Sequence, residues 1–153
     1  MSSKLNVHFS SRRIDWSTPD DLFADLNAIF HFDLDACACP SNAKCARFYT
    51  VDEDALSQRW NGTVWMNPPY GRQIGAFMKK AYEESLLGST VVSLVPSRTD
   101  TSWWHRYVKR GQVVFLRGRL RFGGAETSAP FPSAIVIFWG GRLGQAVRPE
   151  LEP

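Results

Sequence analysis

No glycine occurs before Gly62 in this 153-residue chain, although eleven are present from there on. A Gly-x-Gly-x-x-Gly turn after the first strand is therefore excluded, and with it the pyrophosphate cradle of a nicotinamide or flavin dinucleotide. No Walker motif for ATP is present. Cysteine is scarce: Cys37, Cys39 and Cys45 are an odd number with a spacing that matches no standard zinc finger or knuckle. Small reduced thiols near a strand end are expected, and no metal. No apolar run approaches the length of a membrane span, and no signal-peptide pattern opens the chain. An intracellular protein without a membrane partner is expected. Internal repeats and low-complexity blocks are lacking too.

What is present suits one soluble globular domain with a real core, at 44% hydrophobic and 22% charged residues. The net charge of +3 is unevenly spread: residues 1–60 carry six Lys/Arg against nine Asp/Glu, and residues 61–153 carry twelve against six. Between Arg98 and Arg121 there are seven basic residues (Arg98, Arg106, Lys109, Arg110, Arg117, Arg119, Arg121) and one acid, Asp100, with Trp103, Trp104 and Tyr107 interleaved. Basic residues mixed with aromatics suit a surface that holds phosphates and stacks bases. A solvated helix face followed by a hairpin would carry many of the same charges. Six tryptophans in so small a chain are hard to place all in a core, which favours nucleic acid. The expected DNA contacts are Arg12 and Arg13 of a polar arm, with Arg98, Trp103, Arg106, Arg119 and Arg121.

The arm spans residues 1–17, the folded domain 18–148 and a tail 149–153. Ser17-Thr18-Pro19-Asp20 is a helix-start signal, and Leu22, Phe23, Leu26, Ile29 and Phe30 at helical spacing predict a helix over 20–30. A short strand is expected over 32–36, a loop or short helix over 40–46 and a second strand over 47–51. Buried strands are expected over 63–66 and 90–96, with a helix over 73–85 between them. A helix over 101–109 ends at Gly111, and a strand follows over 112–116. An excursion with one hairpin-like side over 118–122 leads to a returning strand over 133–139. Strands alternating with helices predict an α/β fold with a mostly parallel sheet and one antiparallel strand near the C-terminus.

Trp65-Met66-Asn67-Pro68-Pro69-Tyr70-Gly71 places a polar, proline-stiffened loop at the carboxyl end of a strand, where open α/β sheets keep their sites. An exocyclic or amide NH2 is a poor nucleophile because its lone pair is delocalised. The Asn67 side-chain oxygen and the Pro68 carbonyl can both accept from such a group, biasing it towards a pyramidal state and stabilising charge that develops in the transition state. Pro68 and Pro69 hold the carbonyl in place, and Tyr70 offers a face for a planar substrate. A simple edge-strand turn accounts for Pro-Pro alone. With Tyr70 the motif looks like that of amino-group methyltransferases using S-adenosylmethionine. That sulfonium cofactor has no phosphate and needs only small residues near the backbone, such as Asp35-Ala36-Cys37-Ala38. Asp35 is placed to hold its ammonium group or order water, and the Asp52-Glu53-Asp54 cluster, Asp54 among it, to meet the ribose hydroxyls or adenine amine. A charged strand end and a solvated turn are the plainer accounts of those acids.

Successive blocks resemble the phage-type DNA N6-adenine methyltransferases, the small Dam-like family. They are His8-Phe9-Ser10-Ser11, Trp16 to Pro19, Phe32 to Ala38, Asn42 to Cys45, Trp65 to Gly71, Leu94 to Trp104, Gly118 to Phe122 and Ala129 to Ser133. The resemblance implies a compact Rossmann-like S-adenosylmethionine-dependent methyltransferase acting on adenine in double-stranded DNA, in the cytoplasm of a bacterial host. By it, Thr18 and Pro19 meet the methionine end of the cofactor, Asp35 to Ala38 match the first cofactor motif, with Asp35, Ala36, Cys37 and also Asn42 as expected cofactor contacts, and Asn67 to Tyr70 are catalytic. The chain departs from the wider adenine-methyltransferase pattern in lacking the glycine-rich first motif and in having Asn67 where an Asp is typical; both side chains offer an acceptor oxygen. The same motif serves enzymes that methylate RNA bases or a protein glutamine. A non-catalytic nucleic-acid-binding domain would explain the charge but not the Asn-Pro-Pro-Tyr loop. A protein substrate gives no reason for the basic stretch.

Overall fold

A computed structural model of the chain describes residues 17–141. Residues 1–16, with Arg12 and Arg13 of the expected arm, and residues 142–153, with the expected tail, lie outside the described residues. Five strands form one sheet: β1 (Leu34–Asp35), β2 (Thr63–Met66), β3 (Thr90–Pro96), β4 (Gln112–Phe115) and β5 (Ser133–Phe138), in the order β1-β2-β3-β5-β4. β1, β2 and β3 are parallel, and β5 is antiparallel to both β3 and β4. β4 therefore runs with β1 to β3. The carboxyl ends of four strands share one edge of the sheet, and the expected single antiparallel strand is β5.

Side-chain alternation sorts the strands into two buried faces. Trp65, Val92, Leu94, Ile135 and Ile137 point to one face, and Val64, Met66, Val91, Val95, Ala134, Val136 and Phe138 to the other. The first face is covered by α1 (Asp20–Phe30) through Phe23, Leu26 and Phe30, and by Leu116, Leu120, Phe122 and Phe131 of the 116–132 loop. The second is covered by α2 (Ile74–Leu86) and the short α3 (Ser102–Arg106), which contribute Ile74, Met78, Ala81, Trp103 and Trp104. Cover on both faces explains why the inner strands are nearly continuous apolar runs. Burial of each such side chain stabilises the fold by roughly 1.5–3 kcal/mol.

The tryptophans find places that composition does not suggest. Trp60, Trp65, Trp103 and Trp104 are all buried, so four of the six belong to the core. The expected second strand over 47–51 is corrected to a single bridge between Asp35 and Phe48. Glu53 takes the chain out of the sheet there: its carboxylate accepts from Thr50 N at 2.9 Å in a capping box that starts a 3-10 turn at Val51. The helix expected over 101–109 is capped by Thr101, whose hydroxyl accepts from Trp104 N, but it breaks at Tyr107 into a 3-10 turn, Val108–Arg110. Among the described residues no helix is long and apolar enough to cross a membrane.

Candidate active site

Asn67 directly follows β2 at the carboxyl edge, and the loop it opens ends at Gly71, whose φ of 114° lets the chain turn into α2. Pro68 is buried, Pro69 is exposed, and Asn67 and Tyr70 are half-buried. The Asn67 amide nitrogen donates to Thr18 Oγ1 at 3.1 Å, across 49 positions of sequence. Thr18, at 6% exposure, immediately precedes the Pro19 cap of α1. One expected cofactor residue thus touches the expected catalytic asparagine directly.

Tyr70 reaches under β3 with a long hydrogen bond from its hydroxyl to the Leu94 carbonyl, 3.4 Å. Burial pushes its phenol well above the ordinary range, so it stays neutral. Phe131 and Phe122 stand nearly perpendicular to its ring at centroid distances of 5.6 and 6.2 Å. The Arg98 guanidinium lies 5.9 Å from the Phe131 ring. Phe122 and Phe131 are not among the residues expected at the site. They arrive because the 116–132 loop folds back over the strand ends, held by Ser97 N to the Pro132 carbonyl (2.9 Å), Ala129 N to Leu120 (2.8 Å) and Gly123 N to Ser17 (3.0 Å). The signal available for them is a pair of phenylalanines within an otherwise polar, glycine- and proline-rich excursion.

At the end of β1, Asp35 is 3% exposed, and its two oxygens accept from Cys37 N (3.3 Å) and Lys44 N (3.0 Å). Burial raises its pKa above the ordinary carboxylate value, and those two backbone donors oppose the rise. The carboxylate therefore shapes the 36–44 loop from inside. Asn42 does similar work, its side-chain oxygen accepting from Cys39 N at 2.8 Å. Ala36 is fully buried. Burial and the nearby Asp35 charge push the Cys37 thiol well up, so it is inert at neutral pH. Asp54 is exposed in a left-handed turn just beyond the segment that pairs with β1 through Tyr49 N to Asp35 O and Ala38 N to Tyr49 O. The Lys44 ammonium pairs with Asp20 at the start of α1, tying the loop to the Thr18 segment.

Of the expected DNA contacts, Arg98, Arg106, Arg119 and Arg121 are exposed, whereas Trp103 is 8% exposed and packs among the core residues between α2 and α3. Its ring is occupied by that packing. The basic stretch also divides. Gln112 is in register with Ile137, which faces Val92 near the start of β3, whereas Phe115 faces Ala134 and, beyond it, Val95 near the end. Lys109 and Arg110 precede β4 at the amino edge, and Arg117, Arg119 and Arg121 follow it at the carboxyl edge, with Arg98 and the Asn67 loop. Sequence proximity had merged two edges into one surface.

Residues 6–139 match the family described as DNA N-6-adenine-methyltransferase (Dam). The chain belongs to this family. A DNA N-6-adenine-methyltransferase of Escherichia phage T1 is 37% identical over 138 residues, covering 86% of this chain and 56% of the relative. One of Haemophilus phage HP1 (strain HP1c1) is 33% identical over 149 residues, covering 90% of this chain and 85% of the relative. The chain thus spans little more than half the length of the phage T1 protein. The Dam match takes in the Asn67 loop, the β1 loop and the 116–132 loop together, so the residues that meet at the carboxyl edge all lie inside the family segment.

Proposed function

We propose that the chain carries out the reaction for which the Dam family is described, methyl transfer to the 6-amino group of adenine in DNA, at Asn67-Pro68-Pro69-Tyr70. The observation that carries this reading is the convergence at one strand edge of Asn67, the Tyr70 ring and the exposed arginines Arg98, Arg119 and Arg121. In it, Asn67 Oδ1 and the Pro68 carbonyl accept the two N–H groups of the adenine amine and stabilise the charge that develops as the nitrogen becomes nucleophilic. The amine of a paired adenine is held inside the duplex, so the base leaves the stack and lies against Tyr70, with Phe122 and Phe131 as walls. The sheet, with its single antiparallel strand, supports a Rossmann-like reading of the fold.

S-adenosylmethionine is the proposed donor, and its bound form supplies an electrophilic methyl group on a sulfonium. The groups beside β1 fit a cationic, phosphate-free ligand: a buried carboxylate at the strand end, a small buried Ala36, and the exposed acids Asp52, Glu53 and Asp54. A pyrophosphate would meet carboxylates there instead of a glycine-rich run of N–H groups. Asp35 and Asn42 act by shaping the loop, Thr18 and Pro19 by forming its wall towards Asn67, and Cys37 by its small size. Double-stranded DNA in the bacterial host cytoplasm is the proposed substrate.

Asn67→Ala should fold, bind cofactor and lose about a hundredfold in rate on adenine-containing duplex DNA. Near-normal turnover by that variant would sink the assignment. S-adenosylhomocysteine should raise the melting temperature by mass action, whereas NAD and ATP should not. Asp35→Ala should weaken that shift by loosening the loop, and an unchanged affinity would place the cofactor elsewhere.

A further inference from the structure

We infer, on that reading of the Asn67 loop, that Ser133 is a specificity-determining residue whose hydroxyl donates a hydrogen bond to a ring nitrogen of the target adenine. The residue is 1% exposed, and its hydroxyl oxygen is buried without a hydrogen-bond partner among the described residues. A buried hydroxyl left unpaired is costly, and such groups are few in a folded protein. This one stands beside the site. Ser133 opens β5, and alternation puts its side chain on the face of Ile135 and Ile137, which α1 and the 116–132 loop cover. Leu94, whose carbonyl accepts from the Tyr70 hydroxyl, is in register with Ile135, and Pro96 is in register with Ser133. Ser133 therefore lies one same-face step beyond the place that Tyr70 reaches, towards the carboxyl edge.

The backbone that leads to this hydroxyl has little freedom. Proline fixes φ at Pro130 and Pro132 and restricts Phe131 between them, and the Phe131 ring stands 5.6 Å from that of Tyr70. Ser97 N donates to the Pro132 carbonyl at 2.9 Å, and Leu116 N to the Ser133 carbonyl at 3.0 Å. The chemistry of the base completes the argument. When Asn67 Oδ1 and the Pro68 carbonyl take both N–H groups of the amine, adenine has its ring nitrogens left. Each has a lone pair and no proton, so it can only accept, and a serine hydroxyl can donate. A base taken out of the stack has also lost the donor that its paired base offered. Ser93 and Ser97 carry buried, unpartnered hydroxyls as well. Ser93, however, shares the opposite face with Val91 and Val95, and Ser97 lies past the end of β3.

A site built to bond a substrate atom rejects the analogue that lacks it, and this supplies the test. Ser133→Ala should lower kcat/KM on adenine-containing duplex DNA by about tenfold or more. Its melting temperature should stay close to that of wild type, because the free protein has no bond there to lose. Ser93→Ala removes the same group from the opposite face and should keep kcat/KM within about twofold of wild type. The deciding measurement uses duplexes with 1-deaza-, 3-deaza- or 7-deazaadenine at the methylated position. One of the three should cost the wild type about tenfold in kcat/KM, and that same analogue should cost Ser133→Ala only about twofold or less. Equal sensitivity of both proteins to every analogue, full activity of Ser133→Ala on adenine, or an equal loss in Ser93→Ala would each overturn the role. Should Ser133→Ala not fold, Ser133→Cys, with a weaker donor of similar size, takes its place. A wild type indifferent to all three analogues would overturn the inference without any variant. Asn67→Ala separates the two levels. If it is inactive while Ser133→Ala is fully active, only the Ser133 role falls; if it is active, the reading of the loop falls with it.

Discussion

Both oxygens of Asp35 are turned to backbone N–H groups of the loop that follows it, and burial of the carboxyl, which these bonds only partly offset, gives the residue a pH signature of its own. Its folded-state pKa is raised, chiefly by burial, so as pH falls the folded protein takes up the proton before the unfolded chain does. Between the two values the folded state binds more protons, and the Asp35 contribution to stability rises with acidification. It is complete below the ordinary carboxylate value and is lost as pH climbs through the raised one. The difference in unfolding free energy between wild type and Asp35→Asn should therefore shift in favour of the wild type from neutral pH downwards. Urea denaturation of both proteins across that range measures it. A difference that is flat, or that moves the other way, would contradict a raised pKa. The acidic strand end is plain in the sequence. Its use as an internal loop brace is not, because the partners are backbone groups of Cys37 and Lys44 that only the folded loop brings close.

Elements with strong local signals stand where the residue pattern puts them. The helix over 20–30 and the strands over 63–66 and 90–96 carry unbroken periodicity and clear start or stop residues, and the structure has them at those bounds. Segments decided by tertiary contact are the ones that differ. The 47–51 segment has strand-like residues, but it lies outside β1, itself two residues long, and the Thr50–Glu53 box draws it into a turn. Trp103 and Trp104 read as surface aromatics because their neighbours are basic, yet α3 is short and lays both rings inward under the exposed His105 and Arg106. Aromatic burial cannot be read from a five-residue helix, which is too short to show a period. A consequence can be measured. Trp103→Ala should lower stability by about 3–5 kcal/mol, and Trp103→Phe by much less, in equilibrium urea unfolding. A Trp103→Ala protein of wild-type stability with weakened DNA binding would return this side chain to the surface role.

At the scale of the whole molecule, charge and chemistry share one edge only in part. Arg98, Arg117, Arg119 and Arg121 are exposed at the carboxyl edge with the Asn67 loop, while Lys109 and Arg110 are exposed at the other. Arg110 also packs over the Tyr82 ring, 5.7 Å away. If duplex DNA lies across the carboxyl edge, affinity should fall steeply with salt, because each neutralised phosphate adds about −0.9 to the slope of log K against log salt. Such contacts carry no sequence information. Where phosphate contacts dominate, a short target site or relaxed adenine methylation is expected. Arg119→Gln with Arg121→Gln should weaken binding to matched and scrambled duplexes alike and reduce the slope by about 1.8, the share of two phosphates. Lys109→Gln with Arg110→Gln removes the same charge from the opposite edge and should leave the slope nearly unchanged. The salt series on both pairs separates placement from total charge, since the two variants have equal net charge. Equal losses of slope would mean that DNA feels the protein's overall charge and does not lie across the strand ends.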